Sequence, residues 1–174
     1  MDAQQLRAIQ TPLKERYRAE PAAALVTLHA RGKLGEENPT CSVETGRALV
    51  EAGLHPATGG DGRAACSGDL LLEALVACAG VTLKAVATAL ALPLDGGTVS
   101  AEGDLDFRGT LGVAKDVPVG FQAIRLRFDL DTDASAEQLD SLLRLTERYC
   151  VVYQTLQHAA SVTVSLSARG AGGR

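Results

Sequence analysis

The stretch LLLEALVACAGVTLKAVATALAL, Leu70 to Leu92, decides how this chain of 174 residues folds. Leu71, Leu75, Cys78, Thr82 and Val86 recur in it at steps of three and four, the spacing that stacks side chains along one helical face. The rest of this helix is apolar too, so a single sheet face cannot cover it and its other flank must meet further elements or a second subunit. A homodimer is therefore expected. Glu73 and Lys84 leave only ten uncharged residues between them, Ala74 to Leu83, too few to cross a bilayer.

A second stretch, Ser135 to Gln157, repeats the helical period through Leu139, Leu142, Leu143, Thr146, Cys150 and Tyr153. Ser135 and Gln138 give it a capping-box start. Each long helix thus carries one cysteine on its inward stripe, Cys78 on the first and Cys150 on the second. A buried free cysteine commonly acts as a small hydrophobe. Two thiols on two buried helices also suit redox chemistry, provided that a cation or a helix N-terminus favours a thiolate. With both cysteines expected in mid-helix, activation is expected from a cationic side chain brought in from elsewhere.

Around these helices the patterning is that of strands. Ala23 to Gly32 alternates Leu25, Thr27, His29 and Arg31 against Val26, Leu28 and Ala30, and Asn38 with Pro39 marks the turn after it. Thr40 to Glu44 and Arg47 to Glu51 predict a strand pair joined at Thr45 and Gly46. The segment from His55 to Asp69 is rich in glycine and reads as a loop, with Ser67 as the N-cap of the first long helix. Val99, Ala101, Gly103, Leu105 and Phe107 face inward from one strand, and Ile124, Leu126, Phe128 and Leu130 from another, which predicts an antiparallel pair. Val162, Val164 and Leu166 give a last strand. A helical arm interrupted by Pro12 (residues 1–20), one domain (21–168) and a flexible tail, RGAGGR (169–174), complete the expected organisation. This order of elements implies an α+β fold with antiparallel or mixed sheets packed on helices.

The net charge of -4, the absence of Trp and the lack of a basic stripe argue against a nucleic-acid surface. The N-terminus, MDAQQLRAIQ, lacks the basic start and apolar run of a signal peptide, so a cytoplasmic location is expected. In that reducing compartment a disulfide between any of the four cysteines would be transient and catalytic rather than structural. No cysteines or histidines fall at metal-ligand spacing, and no bound cofactor is expected.

The DLLLEALVACAGVTLKAVA helix, the GDLDFRG strand and the TERYCVVYQTL helix, in that order, resemble the OsmC/Ohr family of thiol peroxidases over about Leu25 to Leu166. The chain looks closer to the general OsmC-like branch than to the organic hydroperoxide resistance branch. The resemblance implies an OsmC-like, intertwined homodimer whose sheets wrap two long central helices, with active sites at the subunit interface. It matches Cys78 to the peroxidatic position, where a thiolate attacks the O–O bond and becomes a sulfenic acid, and Cys150 to the resolving position that condenses with it. An external dithiol must then reduce the disulfide, and in the family a lipoyl-bearing protein is often that reductant partner.

Family members also set an arginine, held by a carboxylate, against the peroxidatic sulfur, where one guanidinium favours the thiolate and donates to the departing oxygen. Arg31 is the candidate here, with Arg47 behind it, although neither lies in the glycine-arginine loop motif of the hydroperoxide resistance branch. The position expected to carry the acid, ten residues before Cys78, is Gly68. Asp69 beside it is the nearest carboxylate, and it also complements a helix N-terminus. Cys66 reads as an incidental loop cysteine or an alternative resolving thiol, Cys41 as packing, and Glu147 as a solvated charge. Tyr149 and Tyr153 flank Cys150 as site lining or core. The function implied is reduction of organic hydroperoxides in oxidative stress defence. The alternatives are a non-catalytic dimeric module that binds a small molecule on the same scaffold, and a structural domain whose cysteines only pack.

Overall fold

In the computed structural model, which describes residues 2–20, 31–34, 41–44, 49–112 and 114–167, the Leu70 to Leu92 stretch forms helix α2 (Ser67–Ala89), on which most other elements pack. Ahead of it come helix α1 (Ala3–Ala19) and strands β1 (Arg31–Leu34), β2 (Cys41–Glu44), β3 (Leu49–Gly53) and β4 (Ala65–Cys66). Behind it come β5 (Gly96–Asp104), α3 (Phe107–Thr110), β6 (Ala123–Asp131), α4 (Ala136–Tyr149) and α5 (Val151–Gln157). The four short strands form one sheet in the order β1, β2, β3, β4, antiparallel except for the parallel β3 and β4 pair. Strands β5 and β6 form a separate antiparallel ribbon. Helices with sheets of both pairing senses make the α+β architecture that the sequence predicts.

The β5 and β6 register follows the alternation of side chains. Val99 pairs with Phe128, Ala101 with Leu126 and Gly103 with Ile124, all partly buried, whereas Ser100, Glu102, Arg125 and Arg127 are exposed. Helix α2 lies on β5, close enough at Gly80 that a Cβ there would meet Val99 Cγ2 at 3.6 Å. Gly103 is fixed by a tighter approach, since a Cβ there would fall 2.4 Å from Phe121 Cε1. Leu83, Val86 and Ala87 of α2 join Leu142 of α4 in the core, with Phe128, Leu130 and Leu139 packed against them. Each such leucine or valine stabilises the fold by about 1.5–3 kcal/mol through burial.

Several local expectations are corrected. The buried line of α2 is Leu75, Ala79, Leu83, Val86 and Ala87, while Leu71 is exposed and Cys78 and Thr82 are only partly buried. A helix apolar nearly all round does not reveal its phase through periodicity. The N-cap of α2 is Cys66 rather than Ser67, because pairing of Gly53 with Cys66 keeps the latter extended up to the helix. Helix α1 runs through Pro12, giving up one backbone donor while the reciprocal Asp2 and Gln5 capping bonds hold its start. Asp106 caps α3 and so turns Phe107 out of the strand that the alternation extended to it.

Residues 159–167 have no regular secondary structure, and Val162, Val164 and Leu166 are 81, 90 and 95% exposed. The strand expected there has no pairing partner among the described residues. Of the Ala23 to Gly32 strand, only Arg31 and Gly32 are described, both within β1. The two turns at Asn38 and Thr45, His29, Arg47 and the 169–174 tail lie outside the described residues. Contrary to the charge-spacing argument, α2 is long and apolar enough by length and composition to cross a membrane. Its contacts with β5, α4 and α5 are those of a core helix.

Candidate functional site

The second cysteine stretch is not one helix. Cys150, at φ -74° and ψ 108°, closes α4 and opens α5. Its N–H still donates to the Thr146 carbonyl at 2.9 Å and its carbonyl still accepts from the Gln154 N–H at 2.9 Å, so the helical path is redirected at this single residue. The side chain of Cys150 is 1% exposed, in the same buried row as Leu142 and Thr146. The Thr146 hydroxyl is satisfied by donating to the Leu142 carbonyl at 2.8 Å. The expectation of a mid-helix Cys150 is thereby corrected, and with it the inference that no helix terminus can act on the thiols.

The first N–H groups of any helix lack intrahelical acceptors. In α5 these belong to Val151, Val152 and Tyr153. They bear instead on two sulfurs. Burial pushes the Cys78 thiol up, but the N–H groups of Val152 and Val151, the Cys150 thiol and the Thr82 hydroxyl together outweigh it and hold Cys78 below the ordinary thiol range. Cys150 moves the other way: burial pushes it up, the Cys78 sulfur adds to the rise, and the N–H groups of Tyr153 and Val152 offset only part of it. The pair, both members free, therefore makes Cys78 the more readily ionised of the two thiols. Among the described residues the groups that lower Cys78 are main-chain N–H groups, a thiol and a hydroxyl rather than a cation.

The other predicted residues are dispersed. Arg31 is the first residue of β1, opposite Glu44 of β2. Asp69 lies in the first turn of α2, nine residues ahead of Cys78 and thus about 13 Å from it along the helix axis. It lines a cavity of about 340 Å³ with His55, Cys66, Leu105, Phe107 and Phe121, away from the thiol pair. A Cβ at Gly68 would meet Cys66 Sγ and Phe121 Cζ at 3.5 Å, so the missing side chain at this position helps to open that cavity. His55 is structural: its Nδ1 accepts from the Ala57 N–H at 3.0 Å and its ring stacks on Phe107 with centroids 4.8 Å apart. Tyr149 is exposed, with the Arg148 guanidinium over its ring, while Tyr153 is partly buried and lines a cavity with Leu75, Phe121 and Ile124. Sequence patterning missed Val151 and Val152, whose contribution comes from the main chain and leaves no mark in side-chain identity.

Comparison with known proteins places this geometry. The family model described as OsmC-like protein matches residues 60–165, more than half of the chain. None of the curated protein sequences matches it. Among solved structures, an OsmC-like protein from Mycoplasma pneumoniae superposes with a TM-score of 0.64 at 16% identity, covering 77% of this chain and 89% of the other. An organic hydroperoxide resistance protein from Elizabethkingia anophelis gives 0.62 at 16% identity, with 78 and 91% covered. The organic hydroperoxide resistance protein OsmC from Legionella pneumophila gives 0.60 at 18% identity, with 78 and 92% covered. At these identities the structural likeness speaks for the fold.

Proposed function

Because the chain belongs to the OsmC-like protein family, we propose that it is a cysteine-based peroxidase that reduces organic hydroperoxides in oxidative stress defence. The observation that carries this reading is the packing of α2, with Cys78, against α5, which begins at Cys150, with the two free thiols displaced in opposite directions. The Cys78 thiolate attacks one peroxide oxygen, the O–O bond breaks, and the alkoxide departs and takes up a proton to become the alcohol. Cys78 is left as a sulfenic acid. The Cys150 thiol then attacks the sulfenic sulfur, its proton leaves with the hydroxyl as water, and a Cys78 to Cys150 disulfide forms. An external dithiol returns both to thiols, with a lipoyl-bearing protein as the proposed partner. A disulfide that must be reduced at each turnover suits a reducing compartment, which we take to be the cytoplasm.

The working unit in this reading is an intertwined homodimer. Val81 on the outer flank of α2 and Val151 beside Cys150 are 72 and 69% exposed, and the Val162 to Leu166 segment, without a strand partner among the described residues, offers alternate apolar side chains. A second copy covering these surfaces would dry the site. Arg31 remains the proposed donor to the departing oxygen. For Asp69, its distance from Cys78 supports the simpler role of complementing the start of α2.

Mass mapping of the reduced protein after one equivalent of cumene hydroperoxide tests the reading. A Cys78 to Cys150 disulfide is expected in the wild type and in neither Cys78→Ser nor Cys150→Ser, the latter leaving a sulfenic acid that a dimedone-type reagent traps. Thiols that stay reduced while the peroxide persists would refute it and leave the non-catalytic binding module. The first ligands to try would then be apolar ones for the cavity of about 520 Å³ lined by Leu83, Leu126, Phe128, Leu139 and Leu142.

A further inference from the structure

In an uninterrupted helix the Glu147 carbonyl would accept the N–H of Val151, four residues on. The turn of the chain at Cys150 removes that donor and leaves the carbonyl orphaned at the end of α4. The side chain of Gln154 fills the vacancy: its Nε2 donates to the Glu147 carbonyl at 2.8 Å, reaching back seven residues across the junction. Gln154 is itself anchored in α5, where its backbone N–H donates to the Cys150 carbonyl at 2.9 Å. The residue thus bonds both to Cys150 itself and to the last turn of α4 before it, and what it gives to Glu147 is the bond that Val151 no longer makes.

We propose that Gln154 is a positioning residue, whose side-chain amide fastens α5 to the last turn of α4 and so holds Cys150 within disulfide reach of Cys78. Without the clamp, the short α5 swings on the single redirected residue, and the uninterrupted path, with Val151 bonded back to Glu147, competes with the redirected one. Either change carries the Cys150 sulfur off its place beside α2. The clamp serves the peroxidase reading, on which its purpose rests, but its action is measurable without any peroxide.

The test is the equilibrium between the Cys78 to Cys150 disulfide and a glutathione redox buffer, read by mass mapping after acid quench in the full-length protein. Gln154→Met keeps length and helix preference but removes the donor, and Gln154→Glu replaces the donor with a second acceptor. Both are expected to lower the effective concentration of the Cys150 thiol at Cys78 by about fivefold, the worth of one net hydrogen bond. Gln154→Lys restores an N–H donor to the same carbonyl and is expected to stay within about twofold of the wild type, with alkylation of Cys66 unchanged in all three. Met and Glu variants that match the wild type, or a Lys variant that falls with them, would overturn the proposal, as would a wild type that forms no disulfide in the buffer. Circular dichroism identifies any variant that fails to fold, and Gln154→Met, conservative at a partly exposed site, is the deciding arm. A wild type that forms the disulfide from glutathione yet leaves cumene hydroperoxide unconsumed would refute the peroxidase reading and leave the clamp standing.

Discussion

Helix α2 passes Cys78 without interruption for 23 residues, whereas the second cysteine stretch is divided at Cys150 into helices of 14 and 7 residues. Both carry the same apolar period and both bury a row of side chains, yet they contribute different chemistry. A continuous helix has spent its interior N–H groups on its own carbonyls, so α2 can present a sulfur but not activate it. The divided stretch has unspent N–H groups beside the junction, and these lower the thiol of the other helix. The Cys78 sulfur and the donors that lower it therefore sit on opposite sides of one helix contact.

The sharpest challenge to this contrast is a proline placed in each helix. Ala79→Pro, at a fully buried position inside α2, is expected to cost about 3 kcal/mol or more, measured by urea unfolding, because it removes a helical bond and clashes with the preceding turn. Next in size is the pH response of the thiols. In a titration with iodoacetamide, Cys78 should alkylate at a pH below that of an ordinary thiol and Cys150 only at a pH above it; equal profiles would mean that the α5 donors are idle. The sign for stability follows: the contribution of Cys78 is present above the ordinary thiol value and lost as pH falls through its lowered one. That of Cys150 is present below the ordinary value and lost as pH rises through its raised one.

Smaller effects refine the same contrast. Ser135→Ala removes the side-chain half of the α4 capping box and should cost about 1 kcal/mol, whereas α5 has no such bond to lose. Val151→Pro is expected to change stability by less than about 1 kcal/mol. Proline suits the first position of a helix, and Cys150 before it already has the extended ψ that proline requires. The same variant deletes one donor to Cys78, so its iodoacetamide profile should move a little toward higher pH. A large loss of stability would show that the redirected path depends on the Val151 N–H.

Much of the scaffold was legible in the residues. The alternations of Val99 to Gly103 and of Ile124 to Leu130 pointed to the antiparallel β5 and β6 pair, and the period of Leu70 to Leu92 found α2. The pairing of Cys78 with Cys150 came from family resemblance alone, and α2 packs against α5, which begins at Cys150. The division at Cys150 was not legible, because Leu142, Thr146, Cys150 and Tyr153 keep helical spacing across it and neither glycine nor proline marks it. Since the redirection involves ψ of one residue, the side-chain rhythm runs on undisturbed. The part played by main-chain donors was hidden for a related reason: a sequence displays guanidinium groups, whereas unspent main-chain N–H groups exist only once the chain has turned.

The exposed Val162, Val164 and Leu166 segment also bears on how the protein holds its fold. An alternating segment gains its hydrogen bonds and its burial from a sheet edge, and in the proposed homodimer that edge belongs to the second copy. Folding and association then become one equilibrium, governed by mass action. Dilution acts as a denaturant on such a molecule, and its melting temperature climbs with protein concentration. A cell that makes more of the protein would then be setting how firmly each copy is folded as well as how many copies there are.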